Sequence, residues 1–131
     1  MKITPLSIEG AWEILPVQYG DPRGLFMEWY RHDKLAEAVG HPLRLAQGNL
    51  SVSAKDVLRG IHFADVPPSQ AKYVSCVRGA VLDVIVDLRV GSESFGAWEF
   101  VHLDDVDRRS VYVSEGLGHG FVALTDDATL H

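Results

Sequence analysis

Two histidines, a lysine and a carboxylate stand out in this chain of 131 residues, because together they could move a proton next to a carbonyl group. His62 sits near the end of the run Val57-Leu58-Arg59-Gly60-Ile61-His62-Phe63, where one cation and one imidazole interrupt an otherwise apolar strand pattern. A histidine titrates near neutrality and serves as a general base when a neighbouring group fixes its tautomer. Lys72 would face the oxygen on which negative charge develops, in the manner of an oxyanion hole with one fixed cation. Asp83 lies between Val81 and Ile85, a place where an unpaired carboxylate is costly, so a donor is expected nearby. His119 follows the glycine-rich turn of the segment VYVSEGLGHGFVAL, residues 111–124. Arg59 and Arg23 carry the planar fork that suits a pyrophosphate.

The elements that must position these side chains are short. Strict alternation would send Arg59 and His62 to opposite faces of a strand, since their spacing is odd, and a bulge at Gly60 would bring them together. Residues 71–89, AKYVSCVRGAVLDVIVDLR, read as a hairpin turning near Arg78 and Gly79. It places Lys72, Val74 and Cys76 on one face of its first strand. On its second, Leu82, Val84, Val86 and Leu88 form an aliphatic face expected to be core. Turn chemistry at residues 19–24 precedes a strand over 25–30, with Phe26, Glu28 and Tyr30 on one side. A short helix is expected over 32–39, with Asp33 as N-cap and Gly40 as its stop. Residues 43–53 alternate again, aligning Gln47, Asn49, Ser51 and Ser53. Pro67 and Pro68 make residues 64–70 a loop. Further strands are expected at 97–103, 110–114 and 118–124. Eight or nine short strands and one minor helix indicate an all-β sandwich or barrel.

Size and composition fit a single domain over residues 1–131. The formal charge of −6 comes without a basic stripe, which argues against nucleic-acid binding. No apolar run approaches a membrane span and the N-terminus has no secretory h-region, so a cytoplasmic protein is expected. Cys76, the single cysteine, excludes an internal disulfide and reads as a small core residue. Asp104, Asp105 and Asp107 lack the other ligands of a calcium loop and read as a solvated turn.

Small double-sheet barrels of the cupin type often bind metal through a His-x-His pair. Here position 60 is Gly60, position 64 is Ala64, and no two histidines stand two apart. No metal and no cofactor are therefore expected, and the residues fit enolate chemistry better. The segments Asp21-Pro22-Arg23-Gly24-Leu25-Phe26-Met27-Glu28, Gln47-Gly48-Asn49-Leu50-Ser51, VLRGIHF, Pro67-Pro68-Ser69-Gln70-Ala71-Lys72, RGAVLDVIVDLR with Gly91-Ser92, and VYVSEGLGHGFVAL occur in this order. The chain that carries them resembles the dTDP-4-dehydrorhamnose 3,5-epimerase family along essentially its whole length.

The resemblance implies a cupin-like jelly-roll barrel with one short helix, working as a homodimer on a dTDP-4-keto-6-deoxy sugar in rhamnose-type deoxysugar biosynthesis. It implies that His62 is the base, that Lys72 lies near the C4 oxygen, and that Asp83 sits by the base. It gives Arg59 and His119 to substrate contacts and Gln47 and Asn49 to the nucleotide. Arg23, Phe26 and Glu28 match a segment that reaches the partner's site. The family continues beyond the position of His131 with a strand carrying an acid tyrosine, so a C-terminal part is expected to be missing and an open edge is expected beside Gly120 to Leu124. Tyr73 and Tyr112 are the alternative acids within the chain. The competing readings are a noncatalytic nucleotide-sugar binder and, third, a metal-dependent cupin.

Overall fold

Glycine, proline and aspartate turns cut the chain into short strands, and alternation of apolar residues within them gives each sheet one face to bury. The structure is a computed structural model and describes residues 1–67 and 69–131. Pro68, the second proline of the expected 64–70 loop, lies outside the described residues. Among the described residues twelve strands are seen where eight or nine were expected: β1 (Lys2–Pro5), β2 (Ala11–Leu15), β3 (Gln18–Asp21), β4 (Gly24–Met27), β5 (Ser51–Ser53), β6 (Leu58–His62), β7 (Lys72–Arg78), β8 (Ala80–Asp87), β9 (Trp98–Asp104), β10 (Ser110–Val113), β11 (Leu117–Ala123) and β12 (Ala128–Leu130). Helix α1 spans His32–Val39.

Six strands form one sheet in the order β1-β2-β10-β7-β12-β5, and four form a second in the order β6-β11-β8-β9. All pairings are antiparallel, and β3 with β4 makes a separate hairpin. The main core lies between the two sheets and includes Ala11, Val111, Val113 and Cys76 from the first and Val81, Ile85, Val101, Leu103, Leu117 and Phe121 from the second. Each large aliphatic side chain buried there stabilises the fold by about 1.5–3 kcal/mol. A smaller cluster of Ile14, Leu35 and Tyr112 covers the opposite face of the six-stranded sheet, where α1 packs. This double-sheet arrangement is a cupin-like jelly roll.

Several expectations are corrected by this topology. Strands β7 and β8 do not pair as a hairpin. They belong to different sheets, and the chain turns a corner at Gly79, whose φ is +74°. The buried face of β8 is Val81, Asp83, Ile85 and Asp87, while the aliphatic set of Leu82, Val84 and Val86 is only partly buried. Residues 43–50 form no strand, and only Ser51–Ser53 pairs, with β12. Gly40 ends α1 in the left-handed conformation as expected, its N–H bonding Ala36 O at 2.9 Å. The N-cap is Arg31 rather than Asp33. Asp33 instead lies in the first turn, where it suits the helix dipole and pairs with Arg31 at 2.7 Å. Strand β11 has neighbours on both sides, so the open edge expected beside Gly120 is not there.

Candidate active site at the barrel mouth

Strand β6 carries the feature that assembles the site. Its pairing with β11 matches His62 to His119 and Arg59 to Phe121, leaving two residues, Gly60 and Ile61, against one, Gly120, which is the bulge expected at Gly60. Gly60 has a φ of +126°. A Cβ there would stand 2.7 Å from the Cα of Gly120, and one on Gly120 would stand 2.8 Å from the carbonyl oxygen of Arg59. The two glycines therefore let the two backbones touch. With the extra residue absorbed, Arg59, His62, His119 and Phe121 share the inner face.

Register carries the same face onto β8, because Phe121 pairs with Asp83 and His119 with Ile85. Asp83 is 0% exposed and His119 6% exposed. Their hydrogen bond, His119 Nε2 to Asp83 Oδ2, is 2.7 Å long. The donor expected near Asp83 is thus His119. Asp83 does not sit against His62, as the resemblance implied, but two strands away from it. Burial pushes the Asp83 carboxyl above its ordinary value, and the hydrogen bond and charge of His119, with the charge of Lys72, pull the other way. Asp83 Oδ1 is buried without a hydrogen-bond partner among the described residues.

Lys72 comes from the opposite sheet. It shares the inward face of β7 with Val74 and Cys76, so its charge and that of Asp83 act on each other across the barrel interior. Partial burial lowers its ammonium below the ordinary range, against an opposing pull from Asp83. Arg59 is anchored by Nε to Ser53 Oγ at 3.0 Å and by Nη2 to Val52 O at 3.3 Å. Arg59, His62, Lys72, Asp83 and His119 are therefore brought together, with His62 and Arg59 open to solvent.

The remaining candidates lie elsewhere. Gln47 and Asn49 bond each other at 2.8 Å and line a cavity of about 920 Å³ with Lys72, Tyr73, Tyr112, Trp29 and Tyr30. This cavity opens towards the outer face of the six-stranded sheet, where Tyr73 and Tyr112 pack with α1. Neither tyrosine faces the barrel interior. Tyr73 donates to Trp29 O at 2.5 Å, and burial pushes its hydroxyl up to about 12. Trp29 and Tyr30 were not singled out by sequence, where their aromatic character read as the end of a strand. Arg23 and Phe26 lie on the exposed β3–β4 hairpin, with Arg23 paired to Asp21 at 2.6 Å. Glu28 follows that hairpin and pairs with Arg31 at 3.2 Å. Among the described residues no group of three or more His, Cys, Asp or Glu side chains is placed to hold a metal ion.

Two facing antiparallel sheets with ionisable side chains gathered at one mouth define a cupin-like barrel. Residues 5–131 match the family model described as dTDP-4-dehydrorhamnose 3,5-epimerase, and the chain belongs to that family. It is 67% identical over 130 residues to a dTDP-4-dehydrorhamnose 3-epimerase of Streptomyces niveus, covering 99% of this chain and 63% of the relative. It is 62% identical to a dTDP-4-dehydrorhamnose 3,5-epimerase of Mycolicibacterium smegmatis, covering 99% of this chain and 65% of that one. The chain thus spans a little under two-thirds of the length of these curated relatives. Among solved structures, a 4-keto-6-deoxy sugar epimerase from the novobiocin gene cluster of Streptomyces spheroides superimposes with a TM-score of 0.97 at 67% identity, covering 99% and 65% of the two chains. A 3'-monoepimerase from Streptomyces bikiniensis in complex with dTDP-quinovose gives 0.94 at 53% identity, covering 97% and 64%.

Proposed function

We propose that this protein is a cofactor-independent isomerase that epimerises C3, C5 or both of a dTDP-4-keto-6-deoxy hexose in deoxysugar biosynthesis. The observation that carries the reading is the pairing of His62 with His119 on one inner face, with Lys72 brought to the same interior from the facing sheet. The C4 ketone acidifies the hydrogens on both neighbouring carbons. His62 takes one of them, the electrons move onto the C4 oxygen, and the Lys72 ammonium stabilises the enolate. A proton returned to the opposite face of the same carbon completes inversion. That proton comes from a group other than Tyr73 or Tyr112, which belong to the outer face of the six-stranded sheet. Arg59 suits the diphosphate through its planar fork, as does Arg23, His119 contacts the substrate, and Gln47 and Asn49 contact the nucleotide.

The protein acts in the cytoplasm as a homodimer, in which Arg23, Phe26 and Glu28 on and after the exposed β3–β4 hairpin reach the partner's site. The test is incubation with the keto sugar in heavy water. Deuterium should enter at C3 or C5, and His62→Asn should slow its entry by roughly 10²–10⁴-fold while leaving nucleotide-sugar binding intact. Binding without any label at either carbon leaves only a noncatalytic binder. Label entering at the parent rate in His62→Asn removes His62 from the role of base.

A further inference from the structure

Asp83 differs from an ordinary buried carboxylate in the way its two oxygens are used. Oδ2 is bonded to His119 Nε2 at 2.7 Å, while Oδ1 is buried with no partner among the described residues. Because Nε2 is committed to Asp83, Nδ1 is the nitrogen that His119 has left for a ligand. The charged groups facing this pair can be named strand by strand. From β6 come Arg59 and His62, and from β7 comes Lys72. Within β8 the next carboxylate on the same face, Asp87, is neutralised by Arg89 at 2.9 Å. From β9 the facing residues are Val101 and, opposite Ile85, Glu99, which is occupied by Ser7.

Whenever the imidazole is neutral, the Asp83–His119 pair carries one net negative charge in a place almost closed to water. An anionic diphosphate arriving at Arg59 makes that charge more costly, and a second proton on the pair removes it. That proton gives His119 an Nδ1–H donor for the anion at the same moment.

We infer that Asp83 is a positioning residue acting through His119, and that the Asp83–His119 pair takes up a proton when the diphosphate of a nucleotide sugar binds at the barrel mouth. The raised position of the Asp83 carboxyl, caused by burial, agrees with a pair that avoids net negative charge. The inference rests on the proposed function and adds to it a linkage between affinity and pH. Affinity should be highest where the pair is already protonated and should fall as pH rises through the titration of the free protein.

The test uses the full-length protein and dTDP-glucose, whose esterified diphosphate has no ionisation of its own near neutrality. Calorimetric titrations in two buffers of different ionisation enthalpy, from roughly pH 6 to pH 9 so as to bracket an ordinary imidazole, give protons bound per ligand. The parent should show an uptake approaching about one proton in part of this range. Asp83→Asn keeps an acceptor for Nε2 but not the charge, so its uptake window should move down by about one pH unit or more. His119→Gln should lose the uptake altogether, and this variant decides the matter if Asp83→Asn fails to fold. An unchanged window in Asp83→Asn, uptake persisting in His119→Gln, or ligand binding by the parent with no proton uptake overturns this inference alone. Failure of the parent to bind dTDP-glucose at all overturns the proposed function together with it.

Discussion

Asp83 and Asp87 occupy the same face of β8 and are both 0% exposed, yet their surroundings push them in opposite directions. Asp87 accepts from Arg89 through the backbone N–H and through Nε at 3.0 Å each and Nη2 at 2.9 Å, and from Ser92 and Ser94 at 2.7 and 2.5 Å. The Arg89 hydrogen bond leads in holding its carboxyl far below the usual range, against the opposing effect of burial. Among the described residues Asp83 has one donor, on Oδ2, and no partner for Oδ1. The first pattern is that of a structural clip, the second that of a group kept for a ligand. Sequence reasoning reached the need for a donor beside Asp83 from burial alone, but not its identity, because that depends on which strands become neighbours. Asp87→Asn should cost about 2–3 kcal/mol in urea unfolding at neutral pH, the scale of hydrogen bonds to a charged group. The stabilisation by Asp87 is fully present above the unfolded carboxylate value near 4 and is lost as pH falls through the depressed folded value. The gap between parent and variant should therefore narrow below about pH 4, and a gap independent of pH would show that the carboxylate charge is not its source.

At the scale of elements, the most informative signal was an inconsistency. Arg59 and His62 could serve one site only if their odd spacing was broken, and Gly60 was the residue able to break it; the register of β6 against β11 shows that bulge. Other elements were misread for identifiable reasons. The corner at Gly79 looks like a hairpin turn locally, since only the partners of β7 and β8 reveal that they enter different sheets. Alternation over residues 43–50 was real but had no neighbouring strand to pair with, and alternation without a partner does not make a sheet. The face of β8 was reversed because a wholly aliphatic set looks more like core than one carrying two aspartates. The prediction belonging to this scale compares two glycines. Gly60 and Gly91 both have positive φ, but an added Cβ meets backbone atoms only at Gly60 and nothing within 4 Å at Gly91. Gly91→Ala should cost about 1 kcal/mol, whereas Gly60→Ala should cost about 1–3 kcal/mol more and should also slow deuterium exchange, because it moves His62. Equal losses in urea unfolding for the two variants would remove the backbone approach as the reason for glycine at position 60.

For the whole molecule, the reversed face of β8 has a consequence. Because the barrel interior takes Asp83 and Asp87, the outer face of the four-stranded sheet is left with Leu82, Val84 and Val86, only partly buried. Register aligns Val84 with Phe100 and Val86 with Trp98 on β9, and these two rings pack at a tilt with centroids 4.9 Å apart while remaining 50% and 61% exposed. On the far side of β11, Leu58 and Ile61 extend the same surface and are also exposed. A monomer rarely leaves a continuous apolar sheet face of this kind in water. A two-fold partner would cover it with its own copy, since an isologous interface sets one patch against itself. The proposed homodimer therefore has a specific seat, and a cation placed in the middle of it would be stripped of water with no counter-charge. Phe100→Lys should convert a dimer to a monomer in sedimentation velocity at micromolar concentration, with its circular dichroism spectrum unchanged because position 100 points away from the main core. A parent that is monomeric under the same conditions would refute the dimer itself. A Phe100→Lys variant that stays dimeric would move the interface to another face, with the β3–β4 hairpin the next surface to probe.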